Sequence, residues 1–432
     1  MKRYFPFFIC SFIILLCSCS KKGSSPNEET LISIQIIDRN GFAETISTSD
    51  RLSRYQTTDF KAPQPYQKVL RVFGKNKDNK TRSNITSYHS NGHLWQYLEI
   101  CDGRAHGIYQ EWHFNGNQKM ELHIMEGIPE LSESALSSWV FEGLNTIWDE
   151  NGHLIAEIPY ERGMLHGDSL YYYPSGSLKK RIPYTQDEIH GDLICYYENQ
   201  EIAEIIPHTR NKCHGTAKAF FANRTLSYEE LFENDLLLTG KYYSDQGTLL
   251  SFIESGKGKR SEWEEGVFKR LVTYEKGLPD GLVECFDPQE NLKFSFCQKE
   301  GKKQGEEWEY YTKNSPEDPL KPKLLLHWQE DMLQGIVKTW FPNGVQESQK
   351  ELYQNKKNGL FFAWYVNGDL MLSEEYEKDL LTSGTYYKKG DKKPISSVSH
   401  GKGTATLYNA DGYLLKKVPY EKGLPLLEND SK

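Results

Sequence analysis

After Gly176 the chain alternates in character. Leu178, Ile182 and Tyr184 read as one face of an extended strand, and Ser177, Lys179 and Arg181 as the other, with Lys180 as an exception on the apolar side. The pattern predicts a half-buried β-strand, and it recurs. "HGDSLYYYPSGSLKKRIPY" (166–184) returns at 24-residue steps as "HGDLICYYENQEIAEIIPH" and "HGTAKAFFANRTLSYEELF". Taking the glycine that ends each turn, or its replacement, as position zero gives Gly92, Gly116, Gly152, Gly176, Gln200, Arg224, Gly247, Gly266, Glu290, Asn314, Gly344, Gly368, Gly390 and Gly412. Four residues before zero stand Tyr88, Trp112, Trp148, Tyr172, Tyr196, Phe220, Tyr243, Phe286, Tyr310, Trp340, Trp364, Tyr386 and Tyr408. Two residues after it the side chain is usually aliphatic, as at Leu94, Leu154, Leu178, Ile202, Leu226, Leu249, Leu292, Leu370 and Leu414. Only the copy ending at Gly266 slips, with Trp263 one place late.

A β-hairpin accounts for both columns. A three-residue loop and an antiparallel return pair position minus four with plus two, so Tyr172 should face Leu178 and Tyr196 should face Ile202. Such aromatic–aliphatic pairs contribute roughly 0.2–1 kcal/mol each. The last residue of such a loop is left-handed, which suits glycine. A second glycine follows fifteen residues after zero (Gly107, Gly167, Gly191, Gly215, Gly281, Gly305, Gly359), and a third at plus eleven (Gly103, Gly127, Gly163, Gly277, Gly423). These are assigned to a second turn, as in "YERGMLHG" and "YEKGLPDG". Each unit is then two strands and two turns. The predicted fold is all-β: an elongated, twisted antiparallel meander of about fourteen hairpin repeats, advancing roughly 10 Å per unit. The aromatic column supplies an apolar face to an object too thin for a central core.

"YERGMLHG" and "YEKGLPDG" resemble the tyrosine–glycine signature of MORN repeats. The 24-residue spacing is similar to the variant bacterial class, over about residues 83–425. The resemblance implies a hairpin array and a relation to exported repeat lipoproteins and to chains described as antitoxin components. Gln200, Arg224 and Glu290 depart from the turn glycine, and insertions at 129–141 and 315–323 interrupt the period; both insertions are read as tolerated bulges.

The organisation follows. Residues 1–18 read as an export signal, with Lys2 and Arg3 before a short apolar run. "LCSC" resembles a bacterial lipobox, which makes Cys19 the lipidated residue. Ser20 after it favours the outer membrane by resemblance to diderm lipoproteins. Residues 19–30 form a flexible tether, 31–82 an N-terminal β cap with no strong helix signal, 83–427 the repeat array, and 428–432 a charged tail.

Net charge is −8 with no long basic tract, which argues against nucleic acid and anionic lipid as partners. "GKGKR" (256–260) reads as a solvated turn. Three of the eight cysteines lie in the signal. Cys101, Cys195, Cys213, Cys285 and Cys297 remain, with no CxxC pair, and read mainly as small buried residues with disulfide pairing left open. No catalytic motif, metal site or cofactor is expected. His106, His166, His190 and His214 form a column, but a step of about 10 Å between units is too long for a shared zinc. Position minus three is often a ring (Tyr173, Tyr197, Phe221, Phe341, Tyr365), offering a candidate ligand-facing row for glycans. The expected function is that of a non-enzymatic, lipid-anchored envelope scaffold for an unidentified protein partner. A glycan- or wall-binding module is the first alternative, and an antitoxin-like neutraliser the second.

Overall fold

The structure, a computed structural model, describes residues 30–426 apart from 77, 265, 314 and 316. The export signal, Cys19, the tether and the charged tail lie outside the described residues, as does the turn residue Asn314. The described residues form 37 strands, two four-residue α-helical turns and one 3-10 turn, so the chain is all-β. The described residues divide into two compact units, 30–142 with 150–152, and 143–149 with 153–426.

In the first unit, Leu31–Ile37 is flanked by Ala43–Ile46 and Lys68–Lys75, and the latter leads through Thr81–Tyr88, Leu94–Cys101, Arg104–Trp112 and Gln118–Glu126 in antiparallel order. The segment with no strong helix signal contains Ser49–Leu52 and Ser53–Tyr55, short turns that place Leu52 over the sheet. Leu52, Phe60, Ile34, Ile46 and Val69 form one core with Tyr88 and Leu94, the first aromatic–aliphatic pair of the repeat. Tyr88 also donates its hydroxyl to Phe60 O at 2.8 Å. The insertion 129–141 folds over a second core. Ser132 accepts a bond from Ala135 N–H at the start of helix Glu133–Leu136, and Trp139 lies 4.9 Å from Tyr109 and donates its indole N–H to Ile128 O.

In the second unit the predicted register holds. Trp148 pairs with Leu154, Tyr172 with Leu178, Tyr196 with Ile202, Phe220 with Leu226, Tyr243 with Leu249, Phe286 with Leu292, Trp340 with Gln346, Trp364 with Leu370 and Tyr408 with Leu414, whereas Tyr310 pairs with Pro322 because the 315–323 insertion lengthens its loop. The first unit adds Tyr88 with Leu94 and Trp112 with Gln118. The loops ending at Gly92, Gly116, Gly176, Gln200, Arg224, Gly247, Glu290, Gly344, Gly368 and Gly412 close the same way. Gly176 N–H donates to Tyr173 O, and Tyr173 N–H to Ser177 O, both at 2.9 Å. Position zero is left-handed: Gly92, Gly116, Gly152, Gly176, Gly344, Gly368 and Gly412 have φ of +83° to +100°, and Gln200, Arg224 and Glu290 have φ of +70°, +70° and +61°. A side chain there costs about 1–2 kcal/mol. Arg224 offsets part of this through its ion pair with Glu201.

Two readings need correction. The return strand does not alternate strictly. A β-bulge follows every minus-four pair, so that Tyr171 faces Lys180 while Tyr172 faces Leu178. The bulge at Lys179 reverses the phase and sends Leu178 to one face and Ile182 and Tyr184 to the other. The most deeply buried row is therefore minus seven with plus six (Ser169 with Ile182, Leu193 with Ile206, Ala217 with Glu230), and the half-buried minus-four rings line the opposite face. Lys180 is explained by this phase change. Nor are the plus-15 glycines turn residues. Gly107, Gly281 and Gly359 lie inside strands, and Gly167, Gly191 and Gly215 begin them. They occupy bulges against the plus-seven side chain; a Cβ on Gly215 would sit 3.1 Å from Pro207 Cγ.

The second turn is the two-residue type with both φ positive, at Arg162–Gly163, Gln186–Asp187, Arg210–Asn211, Asn234–Asp235, Gln354–Asn355 and Lys378–Asp379. Where its second residue is Asp or Asn, the turn is stapled to the previous one by two bonds. Ile189 N–H donates to Asn211 Oδ1 at 2.7 Å, and Asn211 N–H returns to Ile189 O at 3.0 Å. The same exchange links Leu165 with Asp187, Cys213 with Asp235, Leu333 with Asn355 and Lys357 with Asp379. Along the other edge, turn asparagines reach forward: Asn223 Nδ2 donates to Asp245 O and Asn343 Nδ2 to Val366 O.

Replacing Asn211 by alanine removes the acceptor and keeps the left-handed strain. Asn211→Ala should cost about 1–3 kcal/mol in urea unfolding, and Asn211→Gly should cost less, because glycine relieves the strain. Equal losses would show that the side-chain bond, and not the backbone conformation, sets the cost.

Candidate functional site

The ladder breaks where the period breaks. Position zero advances only from Gly247 to Gly266, and Leu249–Glu254 pairs with Lys257–Glu264 solely at Ile253–Gly258 and Glu254–Lys257. At Gly258 the backbone is at φ +147°, and a Cβ would fall 2.2 Å from Phe252 O, so only glycine allows the strands to cross this closely. Beyond the crossing, Lys257–Glu264 packs back over earlier hairpins. Leu237, Tyr242, Ile253, Val272, Tyr274 and Val283 close a local core beneath it. Three turns converge there: Leu237 N–H donates to Gly277 O, Gly277 N–H to Gly256 O, and Gly256 N–H to Leu238 O.

This corner encloses a cavity of about 630 Å³ whose walls include Glu204, Phe221, Tyr228, Arg260, Glu262, Trp263 and Arg270. Under it Glu230, 1% exposed, accepts Arg260 Nε at 2.6 Å, Arg260 Nη2 at 3.0 Å and the Tyr242 hydroxyl at 2.7 Å. Arg260 Nη1 also lies 3.3 Å from Glu262 Oε1, and Arg270 pairs with the other oxygen of Glu262. Burial works against the Arg260 charge, but the Glu230 carboxylate outweighs it and holds the guanidinium above its ordinary value. Burial raises the Tyr228 and Tyr242 hydroxyls, with Glu204 and Glu230 respectively adding to the effect, so both remain donors. Tyr228 donates to Glu204, and among the described residues no cation pairs with Glu204.

The second unit contains this corner twice. About 144 residues on, Glu374 is 4% exposed and accepts from Tyr386 at 2.7 Å, as Glu230 does from Tyr242. Gly403, at φ +149°, matches Gly258, and Gly401 and Gly423 bond as Gly256 and Gly277 do. Tyr365 lies over Tyr408 as Phe221 lies over Trp263. The lining chemistry differs. Ser348, Leu372, Ala405 and Leu407 stand where the first corner has Glu204, Tyr228, Arg260 and Glu262. Leu372 and Ala405 are buried in the second corner's core. The fold therefore closes this corner without counterparts of Glu204, Arg260 and Glu262, which marks that set as serving something else.

The structure relocates several of the residues singled out by their pattern in the chain. The minus-three rings are not an open ligand row. Phe221, Phe341 and Tyr365 are buried, and Tyr173 and Tyr197 half-buried. The tyrosine hydroxyls latch the next hairpin: Tyr173 donates to Tyr196 O, Tyr197 to Phe220 O and Tyr365 to Tyr387 O, at 2.7–2.8 Å. The ring lies over the following unit because the bulge turns that face inward, so no solvent-side glycan platform forms from this row. Tyr386 belongs to the corner core, and Tyr387 takes the pairing position against Pro394. In "GKGKR" the turn is Ser255–Gly256, and Arg260 is drawn into the corner. His106 Nδ1 bonds to Met125 O at 2.7 Å, and His166 lies 3.7 Å from Glu161; the backbone N–H groups of His166, His190 and His214 bond to Pro159, Pro183 and Pro207. Cys101, Cys195, Cys213, Cys285 and Cys297 are unpaired and half-buried, and burial raises the thiols of the last four. Glu204, Glu230, Arg260 and Glu262 stand out in no sequence pattern; their signals are the short interval between Gly247 and Gly266 and the displaced Trp263.

Residues 141–162 and 165–186 match the family model described as a MORN repeat variant. No curated protein matches the chain. The match and the iterated hairpins fit a repeat scaffold for binding.

Arg260→Met leaves the Glu230 carboxylate buried without its cation and should destabilise the chain by about 3–5 kcal/mol in chemical unfolding. Adding Glu230→Leu should restore most of the loss. A double variant as unstable as the single one would show that the pair is needed for folding.

Proposed function

We propose that the chain is a non-enzymatic protein-binding scaffold, tethered to a bacterial envelope by lipid on Cys19, with the outer membrane as the favoured site. The observation that carries the binding reading is the charged corner around Arg260 and Glu204, set against its apolar counterpart around Ala405 and Leu372. A cavity lined by rings and charges, on a sheet that holds its shape through turn-to-turn bonds, is a preformed recognition surface. Preformed surfaces bind with less ordering cost than flexible ones. The anchor rests on the resemblance of "LCSC" to a lipobox and on the polar spacer that follows it. More than one acyl chain is needed for stable attachment.

A photo-crosslinking residue at the exposed rim position 266, used in intact envelopes and read by mass spectrometry, should capture a recurring protein neighbour. The same probe on the exposed turn at position 301 should not. Cys19→Ser should move the chain from the membrane to the soluble fraction. No reproducible neighbour at 266 would count against the binding reading, and unchanged fractionation against the anchor.

A further inference from the structure

The lining of the corner cavity specifies what enters it. Two carboxylates, Glu204 and Glu262, line it with two guanidiniums, Arg260 and Arg270, and a third carboxylate, Glu230, lies beneath them. Glu230 and Glu262 are taken up by the arginines. Glu204 is left with the Tyr228 hydroxyl alone, so the site holds one uncompensated negative charge. Its neighbours are aromatic. Phe221 and Trp263 meet edge to face at 5.2 Å and 89°, Trp263 continues to Phe268 at 5.2 Å, and Tyr197 and Tyr228 complete the wall. A carboxylate beside ring faces attracts a cation by charge and by the ring quadrupole together. The indole N–H of Trp263 is buried and has no acceptor among the described residues.

We propose that this cavity receives an arginine side chain from an extended segment of the protein partner. The planar guanidinium stacks on aromatic rings and forks onto a carboxylate, which an ammonium cannot do in the same way. At about 630 Å³ the cavity has room for the side chain with flanking backbone. The Arg260–Glu230–Glu262 network beneath is already satisfied, so it acts as a rigid floor, and Glu204 is the carboxylate that makes the new pair. The second corner, with Ser348 and Leu372 in place of Glu204 and Tyr228, lacks this charge and takes no arginine. The inference rests on the protein-binding reading and adds the chemistry of the partner.

The test is calorimetric titration of residues 20–432 with a blocked Gly-Arg-Gly peptide, its citrulline analogue and its lysine analogue. The arginine peptide should bind about tenfold more tightly than citrulline, which has the same shape without the charge. Glu204→Gln should remove that preference, whereas Glu188→Gln, on the exposed start of a short strand, should leave it intact. Equal binding of arginine and citrulline peptides, no measurable binding, or an unchanged preference in Glu204→Gln overturns the proposal; lysine binding as tightly as arginine overturns the choice of guanidinium. Envelope crosslinking with the Glu204→Gln chain separates the two levels. A partner still captured at position 266 without arginine selectivity leaves the scaffold reading standing and removes only this one.

Discussion

A three-residue loop that closes on a left-handed residue leaves the returning strand one way to pair. That constraint fixes minus four against plus two in nearly every hairpin, from Tyr88 with Leu94 to Tyr408 with Leu414. It also places the bulge that follows, because the loop delivers the strand slightly out of step with its partner. The bulge decides which face is buried, and the buried face carries Ile182, Leu193, Ala217 and Glu230. Each hairpin would be marginal alone. Turn-to-turn bonds join them: Asp and Asn staples on one edge, asparagine amides and tyrosine hydroxyls on the other.

The corners follow from suspending the same rule. A shortened interval after Gly247 gives the sheet too little strand to continue its register, and Lys257–Glu264 crosses back at Gly258. The crossing buries a carboxylate in both corners, Glu230 and Glu374, each held by a tyrosine hydroxyl twelve residues on. Only the first corner adds arginines and leaves Glu204 without a cation. An architecture built twice with different linings separates what the fold requires from what it does not.

Much of this is legible in the sequence, for physical reasons. The period, the minus-four to plus-two pairing and the left-handed turn residue are local and are written in side-chain type, so Tyr172 and Gly176 announce them. The bulge is not legible, because it shifts phase without changing composition; its only trace is Lys180, which alternation alone treats as an exception. The plus-eleven column is half visible. Its glycines stand out, but Asp187, Asn211, Asp235 and Asn355, which share the left-handed geometry and add a staple, do not. Alternation places the minus-three rings in solvent, since it cannot show that the next hairpin folds over them. The corner site depends on residues as far apart as Glu204 and Arg270, which no local pattern joins, although the displaced Trp263 marks the spot.

The claim on which the rest stands is that reciprocal bonds between successive turns bind the hairpins into one cooperative sheet within the second unit. Native-state hydrogen exchange at the amides of Leu165, Ile189, Cys213, Leu333 and Lys357 tests it most directly. These groups lie at partly exposed turns, yet each donates to an Asp or Asn of the next unit. Slow exchange matching that of mid-strand amides such as Ile182 and Val337 is the expected result; exchange at the rate of an open turn would contradict the account.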